Sequence, residues 1–157
     1  MAKPTTIHST FQIECSLAAS PEQVFDAFAD PVKKRRWFFE STTHTLEEHE
    51  LDFQVGGSER AQMKMGEGTP VAGRTMVNDT VYEDIVPAHR IVMANRMSFE
   101  GKPFSASLVT IEILPTESGS ELILTNQGAY FEGADGPEMR KGGWIFLLDK
   151  LTKELAG

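Results

Sequence analysis

The chain contains one cysteine, Cys15. A lone thiol closes no intramolecular disulfide and builds no thiolate zinc cluster. No run approaches the roughly 18 consecutive apolar residues of a membrane-spanning helix. The first twelve residues lack a basic segment leading into an apolar one, so no secretory signal is expected. Basic residues are also scarce: 15 Lys and Arg face 23 Asp and Glu, a formal net charge of −8. A phosphate backbone or an anionic bilayer is repelled on average by such a chain. Neither nucleic-acid nor membrane binding is expected, and a cytoplasmic location is. The basic run Lys33–Arg36 is too short to reverse this and abuts Trp37 and Phe38. A G-x-S-x-G elbow is missing, and the glycine-rich stretch Gly66–Arg74 lacks the Lys-Ser/Thr ending of a phosphate-binding loop. No cofactor is expected.

What is present is patterning. The 157 residues suit one domain spanning 1–157, without repeats or linkers. Phe11, Ile13, Cys15 and Leu17 alternate with Gln12, Glu14 and Ser16, the signature of a half-buried strand. Ser20, Pro21 and Gln23 form a helix start with a capping box, and Val24, Phe25 and Phe28 supply its apolar face. Asp30–Pro31 repeats the signal, so a second short helix is expected from Val32 to about Phe38. Period-two patterning then takes over. Ala61, Met63 and Met65 share a face, as do Ile91, Met93, Asn95, Met97 and Phe99. So do Ser107, Val109, Ile111 and Ile113, and then Leu122, Leu124 and Asn126. Short turns between these runs predict an antiparallel sheet. Asp135 and Pro137 open a long last helix whose stripe is Trp144, Leu147, Leu148, Leu151 and Leu155. The fold class is therefore α+β: a curved antiparallel sheet wrapped around a long C-terminal helix, with two short helices after the first strand.

Gly142 and Gly143 sit inside that helix, although each costs roughly 1 kcal/mol relative to alanine. A curved sheet and a straight helix part along their length, and glycines suit a place where space stays open or backbones approach. Trp144 then roofs one end. Methionine adapts to irregular apolar space. The expected lining is Trp37, Phe38, Phe53, Met63, Met65, Met93, Met97, Leu124, Trp144, Leu147 and Leu148. Asn95 and Asn126 lie on the same faces and would orient a polar end of a ligand. The alternative for each is ordinary: core filler for the methionines, a core anchor for Trp144, a bond to a neighbouring strand for Asn95.

The stretches VFDAFADPVKKRRWFF, the glycine pair Gly56–Gly57, VYEDIVPAHRIV, LILTNQGAYF and GGWIFLLDKL occur in an order that resembles the START-like SRPBCC superfamily. Within it the chain is most similar to the group named after the activator of heat-shock protein 90 ATPase, over about Thr10 to Leu155. The resemblance implies a helix-grip fold, with seven strands gripping the last helix. It implies ligands such as lipids, sterols, plant hormones or polyketides in the space between, and in some members cyclase or aromatase activity. It carries over Trp37, Gly143 and Trp144 as structural landmarks only. The eukaryotic activator has a further N-terminal domain, and the resemblance covers only its C-terminal unit.

Reactive chemistry is thin. His44 and His49 lie five apart, which on a regular strand puts them on opposite faces, so His44–Glu50 is expected to be an exposed acidic edge, not a metal site. Cys15 is expected to act as a small buried hydrophobe. Arg90 and Glu83 are expected to form a surface ion pair, and the parity of Tyr82 is ambiguous. An inward carboxylate would carry a raised pKa and mark a catalyst, but no position can be assigned to one. The reading is a binding protein for a small lipophilic molecule. A cyclase-type enzyme and a chaperone-interacting module are the alternatives, and a homodimer stays open.

Overall fold

The computed structural model describes residues 3–157. Strand β1 (Ile7–Leu17) leads into α1 (Pro21–Ala29) and α2 (Pro31–Lys34), followed by a π-helical turn over Arg35–Phe39. Six strands follow: β2 (His44–Leu51), β3 (Ser58–Met65), β4 (Thr75–Val86), β5 (Arg90–Phe99), β6 (Lys102–Thr116) and β7 (Gly119–Tyr130). Helix α3 (Pro137–Ala156) ends the chain. The strands form one seven-stranded antiparallel sheet in the order β1-β7-β6-β5-β4-β3-β2. The helices after β1 thus carry the chain from one edge of the sheet to the other. This is the antiparallel sheet around a C-terminal helix expected from the patterning, and the helix-grip fold that the resemblance implies.

Local chemistry explains the short helices. The Ser20 hydroxyl accepts from the Gln23 amide at 3.2 Å, and the Gln23 side chain accepts from the Ser20 amide at 2.9 Å. Asp30 caps α2, accepting from the Val32 and Lys33 amides. The second helix does not run regularly to Phe38. It widens at Arg35, closing with the Glu40 N–H on the Arg35 carbonyl at 2.9 Å. The widening turns three successive aromatics in different directions. Trp37 enters the core and donates its indole N–H to the Ala27 carbonyl at 2.8 Å. Phe38 meets Trp144 edge-on at 5.6 Å, and Phe39 packs with Ala61 and Met63. Turns of this kind often sit at functional sites.

Two bulges change which residues face inward. Register slips between Leu46 and Glu48 in β2, so His44, Leu46 and His49 stand opposite Met65, Met63 and Ala61. The expectation of opposite faces for the two histidines is therefore overturned, because the extra residue reverses the alternation. His49 therefore turns inward, its side chain 2% exposed, while Glu47, Glu48 and Glu50 stay exposed on this edge strand as expected. Register slips again between Tyr82 and Asp84, so Tyr82 stands opposite Met93 and Ile85 opposite Ile91. That slip is why neither parity fitted the whole of β4. Arg90 pairs with Asp84 at 2.7 Å, not with Glu83.

The main core joins Leu17, Val24, Phe28, Trp37, Ile111, Ile113, Leu122, Leu124, Leu148 and Leu151. Helix α3 lies on β1 and on the π-helical turn through its C-terminal half. There Cys15 Sγ lies 4.0 Å from Thr152 Oγ1, and Arg36 forks onto Glu154 at 2.7 and 3.2 Å. Cys15 is half-buried, and burial raises its thiol pKa. No helix among the described residues is long and apolar enough to cross a membrane.

Candidate functional site

The N-terminal half of α3 stands away from β3–β5 and leaves a cavity of about 300 Å³. Of the residues expected to line it, Phe38, Met63, Met93, Asn95, Met97, Asn126, Trp144 and Leu147 do so. The remaining expected residues lie elsewhere. Trp37, Leu124 and Leu148 are core residues, 1%, 0% and 3% exposed. Phe53 packs edge-on against Phe25 and Tyr82 at 5.5 and 4.9 Å. Met65 is half-buried at the His44 end of β3. Met76 and Met139 join the lining, giving five methionines with Met63, Met93 and Met97.

Gly143 also lines the cavity, and a Cβ built on it or on Gly142 meets no atom within 4 Å. The glycine pair thus fronts open space; no strand approaches it. Met139 and Phe146, on the same wall, are 69% and 60% exposed, so the cavity reaches solvent beside them.

One end of the cavity holds a buried charge cluster that patterning did not assign. The Lys34 ammonium lies 2.5 Å from Glu59 Oε1, and both side chains are 3% exposed. Tyr82 donates its hydroxyl to the same oxygen at 2.8 Å, and His49 Nε2 bonds the other carboxylate oxygen at 2.9 Å. Arg35 Nε donates to His49 Nδ1 at 3.3 Å, which makes Nδ1 an acceptor and leaves Nε2 to donate. The Lys34 ammonium also lies over the Phe38 ring, 4.9 Å from its centroid. Burial alone would raise the Glu59 pKa. The Lys34 charge and the three bonds outweigh it and bring the pKa down to about 2. The expected raised inward carboxylate is thus corrected: Glu59 is inward and firmly ionised. Tyr82 moves the other way, raised by burial and by the Glu59 charge.

The Gly56–Gly57 turn positions this cluster. Gly56 N–H donates to the Tyr82 carbonyl at 2.8 Å, and Tyr82 N–H donates to the Gly57 carbonyl at 3.0 Å. A Cβ on Gly57 would sit 2.2 Å from the Asp52 carbonyl oxygen, so only glycine lets β3 begin there beside Tyr82.

A second charged pair, Arg140 and Asp135, also lines the cavity. Arg140, 8% exposed, forks onto Asp135 at 2.7 and 2.8 Å and donates to Ser105 Oγ at 2.9 Å. Its guanidinium lies over the Tyr130 ring at 5.2 Å. Asp135 therefore does not cap α3; Gly136 precedes Pro137 in that place.

The two amides differ. Asn95 commits its NH₂ to Asn78, Thr80 and the Asp79 carbonyl, bonds between neighbouring strands. Asn126 is 0% exposed, donates to the Tyr130 hydroxyl at 3.3 Å, and leaves Oδ1 with no partner.

Two of the unassigned residues carried a signal. Glu59 shares the parity of Ala61 and Met63, and Arg140 falls four before Trp144 on the α3 stripe. Lys34 stands four before Phe38, but the widened turn alters that spacing, and His49 is hidden by its bulge.

A family model described as Activator of Hsp90 ATPase homolog 1-like protein matches residues 18–156. Among solved structures, the Mll3558 protein of Rhizobium loti is 40% identical, with a TM-score of 0.85 over 97% of this chain and 100% of that one. An uncharacterised protein of Rhizobium leguminosarum is 31% identical, with a TM-score of 0.88 over 96% of each chain. An AHSA1-like protein of Aeromonas hydrophila, 18% identical, shares the fold with a TM-score of 0.68 over 94% of this chain and 92% of that one. No curated protein matches.

Proposed function

The chain belongs to the Activator of Hsp90 ATPase homolog 1-like family, and from that premise we propose that it binds a small, largely apolar or aromatic molecule between the sheet and α3. The observation that carries this is Asn126: a fully buried amide on the cavity wall whose Oδ1 has no partner. A buried acceptor left unpaired costs about 1–3 kcal/mol, and a ligand donor would remove that cost. The surrounding methionines and Trp144 supply adaptable apolar contact. The volume of about 300 Å³ lies at the small end for ligand pockets.

Native mass spectrometry of protein purified from its own host tests this directly, with Trp144 emission followed across a lipophilic panel. A co-purifying small molecule, or saturable quenching by a panel member, is expected. Silence in both measurements overturns the reading.

A cyclase- or aromatase-type activity is the second reading, prompted by Glu59 on the cavity wall. Its chemistry argues against it. A carboxylate with a pKa of about 2, holding three donors, is a weak proton acceptor near neutral pH. The cluster serves better as a rigid polar wall than as a general base. A chaperone-interacting module remains the family-level alternative, and pull-down from native lysate with and without salt tests it.

A further inference from the structure

We propose that the cavity's occupant is a small amphipathic acid: an apolar body with an anionic oxygen group held by Lys150 and a hydrogen-bond donor held by Asn126. This rests on the ligand-binding reading above and names its chemical class.

The charges of the cavity wall decide the sign. Three cationic side chains line it, Lys34, Arg140 and Lys150, against two anionic ones, Glu59 and Asp135. Lys34 and Glu59 neutralise each other, as do Arg140 and Asp135. Lys150 alone is left over. Its ammonium donates to the Glu40 backbone carbonyl and forms no ion pair among the described residues. An ammonium carries three donors, so the carbonyl leaves capacity for an incoming oxygen anion. Burial lowers the Lys150 pKa and the Glu40 charge partly opposes it.

Position supports the same assignment. Lys150 follows Phe146 by one helical turn, and Phe146 stands where the cavity reaches solvent. An anionic group there stays partly hydrated while the apolar body goes inward over the methionines. Burying the anion deeper would require a new counter-charge, and the buried cations Lys34 and Arg140 are already paired. Asn126 is the inner polar contact, and its free oxygen accepts a donor such as a hydroxyl. The net charge of −8 does not forbid an acid. At physiological ionic strength charges beyond about 8 Å are largely screened, so most carboxylates count for little; Glu40, whose charge reaches Lys150, is exposed and outside the cavity lining.

The test uses isothermal titration calorimetry with four ten-carbon probes: decanoic acid, decanol, decylamine and 10-hydroxydecanoic acid. Wild type is expected to bind the acid about tenfold tighter than the alcohol or the amine. Lys150→Met should erase that preference, and Lys150→Arg should keep it. The hydroxy acid should bind more tightly than the plain acid, and Asn126→Leu should remove that gain while sparing the preference for acid. Thermal melts confirm that each variant is folded. Equal binding of acid and alcohol by wild type, or an unchanged preference in Lys150→Met, overturns the anion assignment and leaves ligand binding standing. No gain from the added hydroxyl overturns the Asn126 assignment. Failure of all four probes to bind overturns the class and counts against the ligand-binding reading as well.

Discussion

Lys34 and Glu59 face each other at 2.5 Å inside the protein, one from the end of α2 and the other from the start of β3. Removing one partner leaves a buried charge uncompensated, which costs about 3–5 kcal/mol, whereas replacing both by apolar residues is often close to neutral. Lys34→Met is therefore expected to destabilise by about 3–5 kcal/mol. Lys34→Met with Glu59→Met should recover a large part of it, though His49 and Tyr82 then lose their acceptor. Urea unfolding of the two single variants and the double variant checks this, and additive losses would refute it.

The same carboxylate sets an acid limb. The Glu59 pKa falls from an ordinary 4.5 to about 2 on folding. A depressed carboxylate pKa stabilises the fold fully above pH 4.5, and the contribution disappears as pH falls through 2. The contribution is on the order of 3 kcal/mol, since each pH unit of displacement corresponds to about 1.4 kcal/mol. Unfolding free energy measured from pH 6 to pH 2 should fall by about that much in excess of the Glu59→Gln variant. Parallel curves would show that Glu59 is not responsible.

Gly142 and Gly143 leave stability unused. A Cβ at either position meets nothing within 4 Å. Gly142→Ala should stabilise α3 by about 1 kcal/mol, a rise of roughly 2–4 °C in Tm for a chain of this size. Gly143→Ala should do the same while intruding slightly on the cavity. A fall in Tm in scanning calorimetry would mean that the helix needs glycine there for its path.

Arg140 ties the start of α3 to the sheet through Ser105 and to the preceding loop through Asp135. A lysine supplies one point charge where the guanidinium supplies a planar fork. Arg140→Lys is expected to cost about 2 kcal/mol, in the range of charge-assisted hydrogen bonds. Hydrogen exchange should rise first at the N-terminal end of α3, and protection equal to wild type there would refute the role.

Much of this arrangement is legible along the chain. The capping box at Ser20, the alternation of β1 and β5, and the α3 stripe each follow from short-range periodicity. Periodicity survives only while the ladder stays regular. Where β2 slips at Leu46–Glu48, His49 turns inward against every alternation count begun at His44. The π-helical turn does the same to its aromatics: of Trp37 and Phe38, both expected on the cavity wall, only Phe38 stands there, beside Phe39, which patterning had not assigned. Phe53, Met65 and Leu148 have the right polarity for a cavity wall, yet polarity cannot say on which side of a core a residue stands.

The sequence by itself determined the elements, their order and the apolar faces that force a sheet to close on a helix, because those depend on neighbours a few residues away. The tertiary structure alone decided the chemistry of the site. Lys34, His49, Glu59 and Tyr82 come from four elements, and their charges and hydrogen bonds become mutual only when bulged strands and a widened turn bring them within 3.3 Å of a partner. An ionised carboxylate at that depth is stable for that reason alone: without its partners, burial would have neutralised it.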